Sequence, residues 1–211
     1  MKPYKIMKES IFNTLNELEV QSTLEKSRMV DTLPENRMLA ITKETGELLN
    51  MLLRLKNAKN MLEIGTSVGY SSIWCAEAML EQVGKVITIE QNPSKIKRAK
   101  ENFLKAEIQD AVEIKERNAL DILSKMNRID KYKEYFDFVL IDADKENIIK
   151  YFDLILPMVS VGGIIVTDNM TYPEKYREHM KKFSNYLKEN PDLNTITSNI
   201  GNGEEITIKV K

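Results

Sequence analysis

Asp142, Asp144 and Lys145 crowd the end of a hydrophobic run, Phe136-Asp137-Phe138-Val139-Leu140-Ile141. Asp168 and Asn169 end another, Gly163-Ile164-Ile165-Val166-Thr167. Carboxylates brought together in a partly dry cleft repel, and one is pushed towards protonation unless a cation intervenes. Asp142, Asp168 and Asn169 all offer oxygen, with no histidine or cysteine among them. That donor set suits a hard ion, Mg²⁺, Mn²⁺ or Ca²⁺, better than Zn²⁺. Three protein oxygens leave about three octahedral positions for water or substrate. A hydroxyl bound there loses its proton more readily. Lys145 follows Asp142 at helix-start spacing and can serve as general base, since a nearby cation disfavours its ammonium form. Taken alone, the stretch Ile141-Asp142-Ala143-Asp144-Lys145 reads first as two caps and a surface charge. Taken with Thr167-Asp168-Asn169 and the loop described next, the balance moves to chemistry.

That loop is Glu63-Ile64-Gly65-Thr66-Ser67-Val68-Gly69-Tyr70-Ser71-Ser72. Glycines where a strand turns into a helix let a ligand approach the main chain. Glu90 ends the following strand, 25 residues after Gly65, where an acid can accept from both hydroxyls of a ribose. The spacing is G-x-x-x-G, not the G-x-G-x-x-G of a dinucleotide site, which disfavours an NAD-dependent oxidoreductase. Glu63 suits a ligand with a positive amino group and not a pyrophosphate. Adenosine joined to an amino acid describes S-adenosylmethionine.

These residues need elements to hold them. Ile11, Leu15 and Leu18, then Leu48, Leu49, Leu52 and Leu53, recur at helical spacing. From residue 59 short strands alternate with helices: 61–64, 85–90, 112–115, 136–141 and 163–167. Pro93 opens one of the helices. Such alternation means crossover connections and a parallel sheet. Residues 194–197 and 205–210 alternate with period two around Gly201-Asn202-Gly203, an antiparallel hairpin. Sequential strands are usually neighbours, so Asp142, Asp168 and Asn169 should meet at one edge of the crevice.

The 211 residues suit one domain, with 42% hydrophobic and 30% charged residues. A net charge of −1 gives no global field for nucleic acid. The lone cysteine, Cys75, allows no disulfide framework and points to a reducing cytoplasm. The stretch MKPYKIMKES lacks the apolar core of a secretory signal, and no run reaches the roughly 18 apolar residues of a membrane span. Trp74, Cys75 and the methionines read as core. His179 reads as part of a solvated helix face, with phosphate contact beside Arg177, Lys181 and Lys182 as the minor alternative.

The segments LEIGTSVGYSS, ITIEQNP, FVLIDADKENI and GGIIVTDN, in that order, resemble the cation-dependent class I S-adenosylmethionine O-methyltransferases. Catechol and caffeoyl-CoA O-methyltransferases belong to that family, as do bacterial enzymes that methylate 5-hydroxyuridine in tRNA. The resemblance runs from about Ile41 to the C-terminus. It implies an α/β, Rossmann-like fold: a mostly parallel seven-stranded sheet ending in an antiparallel hairpin, with N-terminal helices. One domain is expected over 1–211, its helical segment at 1–57 and its α/β core at 58–211. The resemblance places Glu63, Gly65 and Ser71 against the methionine part of the cofactor and Glu90 on the ribose. Asn118 and Ala119 match the adenine side, although many relatives carry Asp at the position of Asn118. Ile41 would line the pocket. Asp142, Asp168 and Asn169 match the metal ligands, with Asp142 also facing the cofactor, and Lys145 matches the base. The implied acceptor is a catechol-like or other small phenol, with tRNA as the alternative and a non-catalytic binding module as the rival of another class. A homodimer is implied, with no membrane partner. The apolar insertion that relatives carry after the Asp-Asn pair is replaced here by Met170-Thr171-Tyr172-Pro173 and a charged helix. The acceptor site is therefore either open or covered by the N-terminal segment or a second subunit.

Overall fold

A computed structural model describes residues 7–211. Part of the stretch expected to carry no secretory signal, residues 1–6, lies outside them. Two helices come first, α1 (Glu9–Lys26) and α2 (Lys43–Lys56). The Thr42 hydroxyl caps α2 by accepting from the Thr45 amide. The alternating part follows: β1 (Asn60–Ile64), α3 (Tyr70–Met79), β2 (Lys85–Glu90), α4 (Pro93–Lys105), β3 (Val112–Glu116), α5 (Ala119–Met126), β4 (Phe136–Ile141), α6 (Ile148–Ile155) and β5 (Val159–Asp168). The chain ends with α7 (Arg177–Lys188), β6 (Leu193–Ser198) and β7 (Glu204–Lys209).

The seven strands form one sheet in the order β3-β2-β1-β4-β5-β7-β6. β1 to β5 run parallel, and β7 enters antiparallel between β5 and β6. β1 and β4 are almost wholly buried and mostly apolar, with Glu63 the buried exception, because helices cover both faces. On one face α1, α2 and α3 bury Ile11, Leu49, Ile73 and Trp74 with Met61 and Phe138. On the other, α5, α6 and α7 bury Leu123, Phe152 and Phe183 against Leu62, Val139 and Ile165. Trp74 and Cys75 are core, as expected. β5 starts four residues earlier than its apolar run suggested, because residues 159–162 already continue the strand despite Gly162.

Strand order reverses between β1 and β4. Their connections leave in opposite directions, opening a crevice beyond their carboxyl ends. The Asp142 amide still donates to the Ile64 carbonyl at 2.9 Å, so β1 and β4 stay paired up to the last residue before the site.

Candidate active site

Gly65 makes the turn out of β1 with φ +101°, and a Cβ there would lie 2.0 Å from the carbonyl oxygen of Asp142. Only glycine lets the two strand ends close so tightly. Beside them opens a cleft of about 690 Å³, lined by Gly65, Ser67, Glu90, Asn118, Ala119, Asp142, Lys145 and Asn169 among others. That volume is ordinary for a small-molecule site and has room for adenosine.

Glu90 sits half-buried at the end of β2. Its Oε2 accepts from the Ser67 amide at 2.9 Å, and its Oε1 accepts from the Gln91 and Asn92 amides, each at 2.9 Å. Three main-chain donors fix the carboxylate while it faces the cleft. Asn118 caps α5, its Oδ1 accepting from Leu120 N at 2.9 Å, and its Nδ2 donates to Gln91 Oε1 at 3.3 Å, which leaves one amide hydrogen for a ligand edge. Glu63 is fully buried beneath the loop. It accepts from Ser71 Oγ and Thr88 Oγ1, each at 2.5 Å, and from Ser72 Oγ. Burial pushes its carboxyl up, and those hydroxyls offset part of the rise. Glu63 and Ser71 thus support the loop from below and do not line the cleft. Ile41 lies in the core, 4% exposed; Leu39 and Ala40, just before it, line the cleft instead.

The charged end of the cleft draws on β4 and β5. Asn169 has φ +67°, a left-handed turn that Asn tolerates and that swings its amide back over β4. Its Nδ2 donates to Asp142 Oδ1 at 3.0 Å and to Asp168 Oδ2. The three residues expected to converge are therefore in contact. Burial, then the Asp168 charge, raises Asp142 to about 7, with Lys145 opposing. Asp168 is raised too, first by burial. A half-buried carboxylate and a buried one, bridged by an amide and with Lys145 beside the first, form an oxygen set that a hard cation would suit. Turning the amide about would present its oxygen. Among the described residues no cluster of three or more His, Cys, Asp or Glu side chains is placed to hold a metal; the set here is two carboxylates and an amide.

Lys145 is 6% exposed. Its Nζ lies 3.7 Å from Asp142 Oδ1 and has no hydrogen-bond partner among the described residues. This is not the solvated surface charge of a capping motif. Asp144 alone acts as the cap, its Oδ1 accepting from the Asn147 amide at 3.1 Å, and Tyr151 OH donates to its other oxygen.

Two residues of the site carried no signal in the sequence. Glu204 pairs with Asp168 across β5 and β7 and is fully buried, with Thr45 Oγ1 donating to it at 2.8 Å. Burial, then the Asp168 charge, pushes it up to about 10. His179 is half-buried, and its Nε2 lies 2.8 Å from the Lys145 carbonyl oxygen. It is not on a freely solvated face, because the short 170–176 connection lays α7 against the Asp142–Asn147 segment.

Residues 14–210 match the model of a family described as O-methyltransferase. The chain belongs to the O-methyltransferase family. Membership makes it the S-adenosylmethionine-dependent O-methyltransferase expected from the motifs. It is 31% identical over 189 residues to caffeoyl-CoA O-methyltransferase 2 of Populus trichocarpa, covering 82% of this chain and 76% of that one. Against the catechol O-methyltransferase of Niastella koreensis it is 36% identical over 132 residues, 63% of this chain and 58% of that one. The O-methyltransferase TomG of Streptomyces achromogenes, solved in complex with SAM, superposes with TM-score 0.75 at 28% identity, covering 97% of this chain and 91% of that one. An O-methyltransferase of Bacillus cereus in complex with SAH gives 0.74 at 27%, covering 97% and 93%.

Proposed function

We propose that this O-methyltransferase moves the sulfonium methyl of S-adenosylmethionine to a hydroxyl of a catechol-like or other small phenolic acceptor. Asp142, Asp168 and Asn169 would hold a divalent cation, Mg²⁺ first, with Mn²⁺ or Ca²⁺ as substitutes. The observation that carries this reading is the contact of those three oxygen-bearing side chains beside a buried lysine that pairs with Asp142 and has no hydrogen-bond partner among the described residues, at one end of a cleft whose other end is built from Gly65 and Glu90. The relatives named for caffeoyl-CoA and catechol support the acceptor class.

The residues divide the work. Glu90 would take the ribose hydroxyls, and Gly65 with Ala143 leaves main chain open to the donor. Asn118 and Ala119 would border adenine. Lys145 would take the acceptor proton at Nζ, which lies buried 3.7 Å from Asp142 Oδ1 with no hydrogen-bond partner among the described residues. Leu39 and Ala40, from the 27–42 segment, and Tyr172 and Tyr176, from the other side, would flank the acceptor and keep water from it. When bound, the sulfonium supplies an already activated methyl and the cation acidifies the acceptor hydroxyl. The protein's share is then positioning and charge. One domain, a homodimer and a cytoplasmic location complete the proposal; no helix of the described residues is long and apolar enough to cross a membrane.

The test is transfer of labelled methyl to catechols, acyl-CoA phenols and undermodified tRNA, with Mg²⁺ and with EDTA. We expect a phenolic acceptor to be labelled in Mg²⁺ only. Asp142→Ala and Asp168→Ala should each lose at least about a hundredfold of that rate. Labelling of tRNA alone, weakened by salt, would replace the phenol with the 5-hydroxyuridine reading.

A further inference from the structure

We infer that His179 is a positioning residue that fixes Lys145 through its main-chain carbonyl. The inference rests on the reading of Lys145 as the base. Lys145 stands in a single 3-10 turn, residues 145–147, between β4 and α6, a short element with few hydrogen bonds of its own. Its carbonyl accepts the Ile148 amide within the turn and is met from outside by His179 Nε2 at 2.8 Å. A carbonyl oxygen only accepts, so that ring nitrogen carries the proton. One residue on, Glu146 Oε1 accepts from Tyr176 OH. Both donors come from the start of α7, so one helix end grips two successive residues of the turn.

The Lys145 side chain has no comparable anchor. Its Nζ finds no hydrogen-bond partner among the described residues, and its nearest charge, Asp142 Oδ1, is 3.7 Å away. Where the ammonium or amine points is therefore set by the backbone that carries it. α7 is in turn tied to the sheet: Phe183 packs edge-on against Phe152 of α6, and Ser184 donates to Glu205 of β7 at 2.7 Å. His179 links that rigid body to the turn holding the base. Its half-burial beside a carbonyl has no need of an imidazole for packing alone.

Three variants test this: His179→Phe, which keeps a ring without a donor, His179→Gln, whose amide nitrogen reaches about as far as Nε2, and His179→Ala for use if the Phe ring unseats α7. We expect the Phe or Ala variant to lose about tenfold in kcat, with KM for donor and acceptor within about twofold. Amide exchange over residues 145–148 should quicken by a similar factor, and Gln should restore both. A purely structural residue would instead lower thermal stability and move both KM values. Unchanged kcat and exchange without the donor, or a loss that Gln does not restore, overturns the inference. If the unaltered enzyme moves no methyl group to any acceptor, it is the proposed function that fails.

Discussion

Glu25 is a buried carboxylate that stays charged, and its surroundings explain why. Burial alone would push it up, but Gln21, the Met38 amide at 2.5 Å and Arg98 at 2.6 Å outweigh that and hold it below the usual 4.5. A carboxyl lowered on folding stabilises fully above its unfolded value, and loses that contribution as pH falls through its folded value. Glu25→Gln should therefore cost about 2 kcal/mol at pH 7, and urea titration should find the gap narrowing as pH falls below the usual 4.5. A gap that acid does not narrow would contradict the assignment. Glu90 both lines the cleft and accepts from the Ser67, Gln91 and Asn92 amides. Glu90→Ala should weaken S-adenosylmethionine binding about tenfold or more by calorimetry, whereas an unchanged Kd would remove it from the ribose. Glu90, Asp142, Asp168 and Asn169 could be picked out in the sequence because they lie at or just past strand ends, and Lys145 because it follows Asp142 by three residues. Glu204 could not, because its partner Asp168 is 36 residues away and only the β5–β7 register joins them. His179 was hidden by the connection that folds α7 back over residues 142–147.

Among the elements, the turn after β1 is the most constrained. Gly65→Ala would add a Cβ 2.0 Å from a main-chain oxygen at φ +101°. Backbone cannot yield as a side-chain tip can, so the strain exceeds the 1–3 kcal/mol usual for a misplaced residue. We expect that variant to lose S-adenosylmethionine binding and about 3 kcal/mol or more of stability, read by calorimetry and urea titration; native affinity would show that the two strand ends can part. β4 and β5 were plain in the sequence because residues covered on both faces form near-continuous apolar runs, and the closing hairpin because its residues alternate with period two. The segment between α1 and α2 was not. Residues 27–42 have no period, yet they are held by Glu25, Arg98 and Asn92 and reach Ser67 through the Leu39 amide at 3.2 Å. Those are single polar contacts with distant residues, which periodicity does not record. The same segment moves the cleft lining from Ile41, the expected residue, to Leu39 and Ala40.

For the molecule as a whole, topology does the assembling. A reversal of strand order between β1 and β4 brings together a glycine turn, the Glu90 carboxylate and a carboxylate pair drawn from positions 65 to 169. The alternation of elements and the closing hairpin made that topology legible, and the family match agrees with it. The most direct measurement is the rate of labelled methyl transfer to a catechol by metal-stripped protein, before and after Mg²⁺ is restored, with Asp168→Ala in parallel. The account predicts negligible transfer without the ion, recovery with it, and no recovery in the variant. Full transfer in EDTA, or an Asp168→Ala enzyme that responds to Mg²⁺ as the unaltered one does, would contradict it.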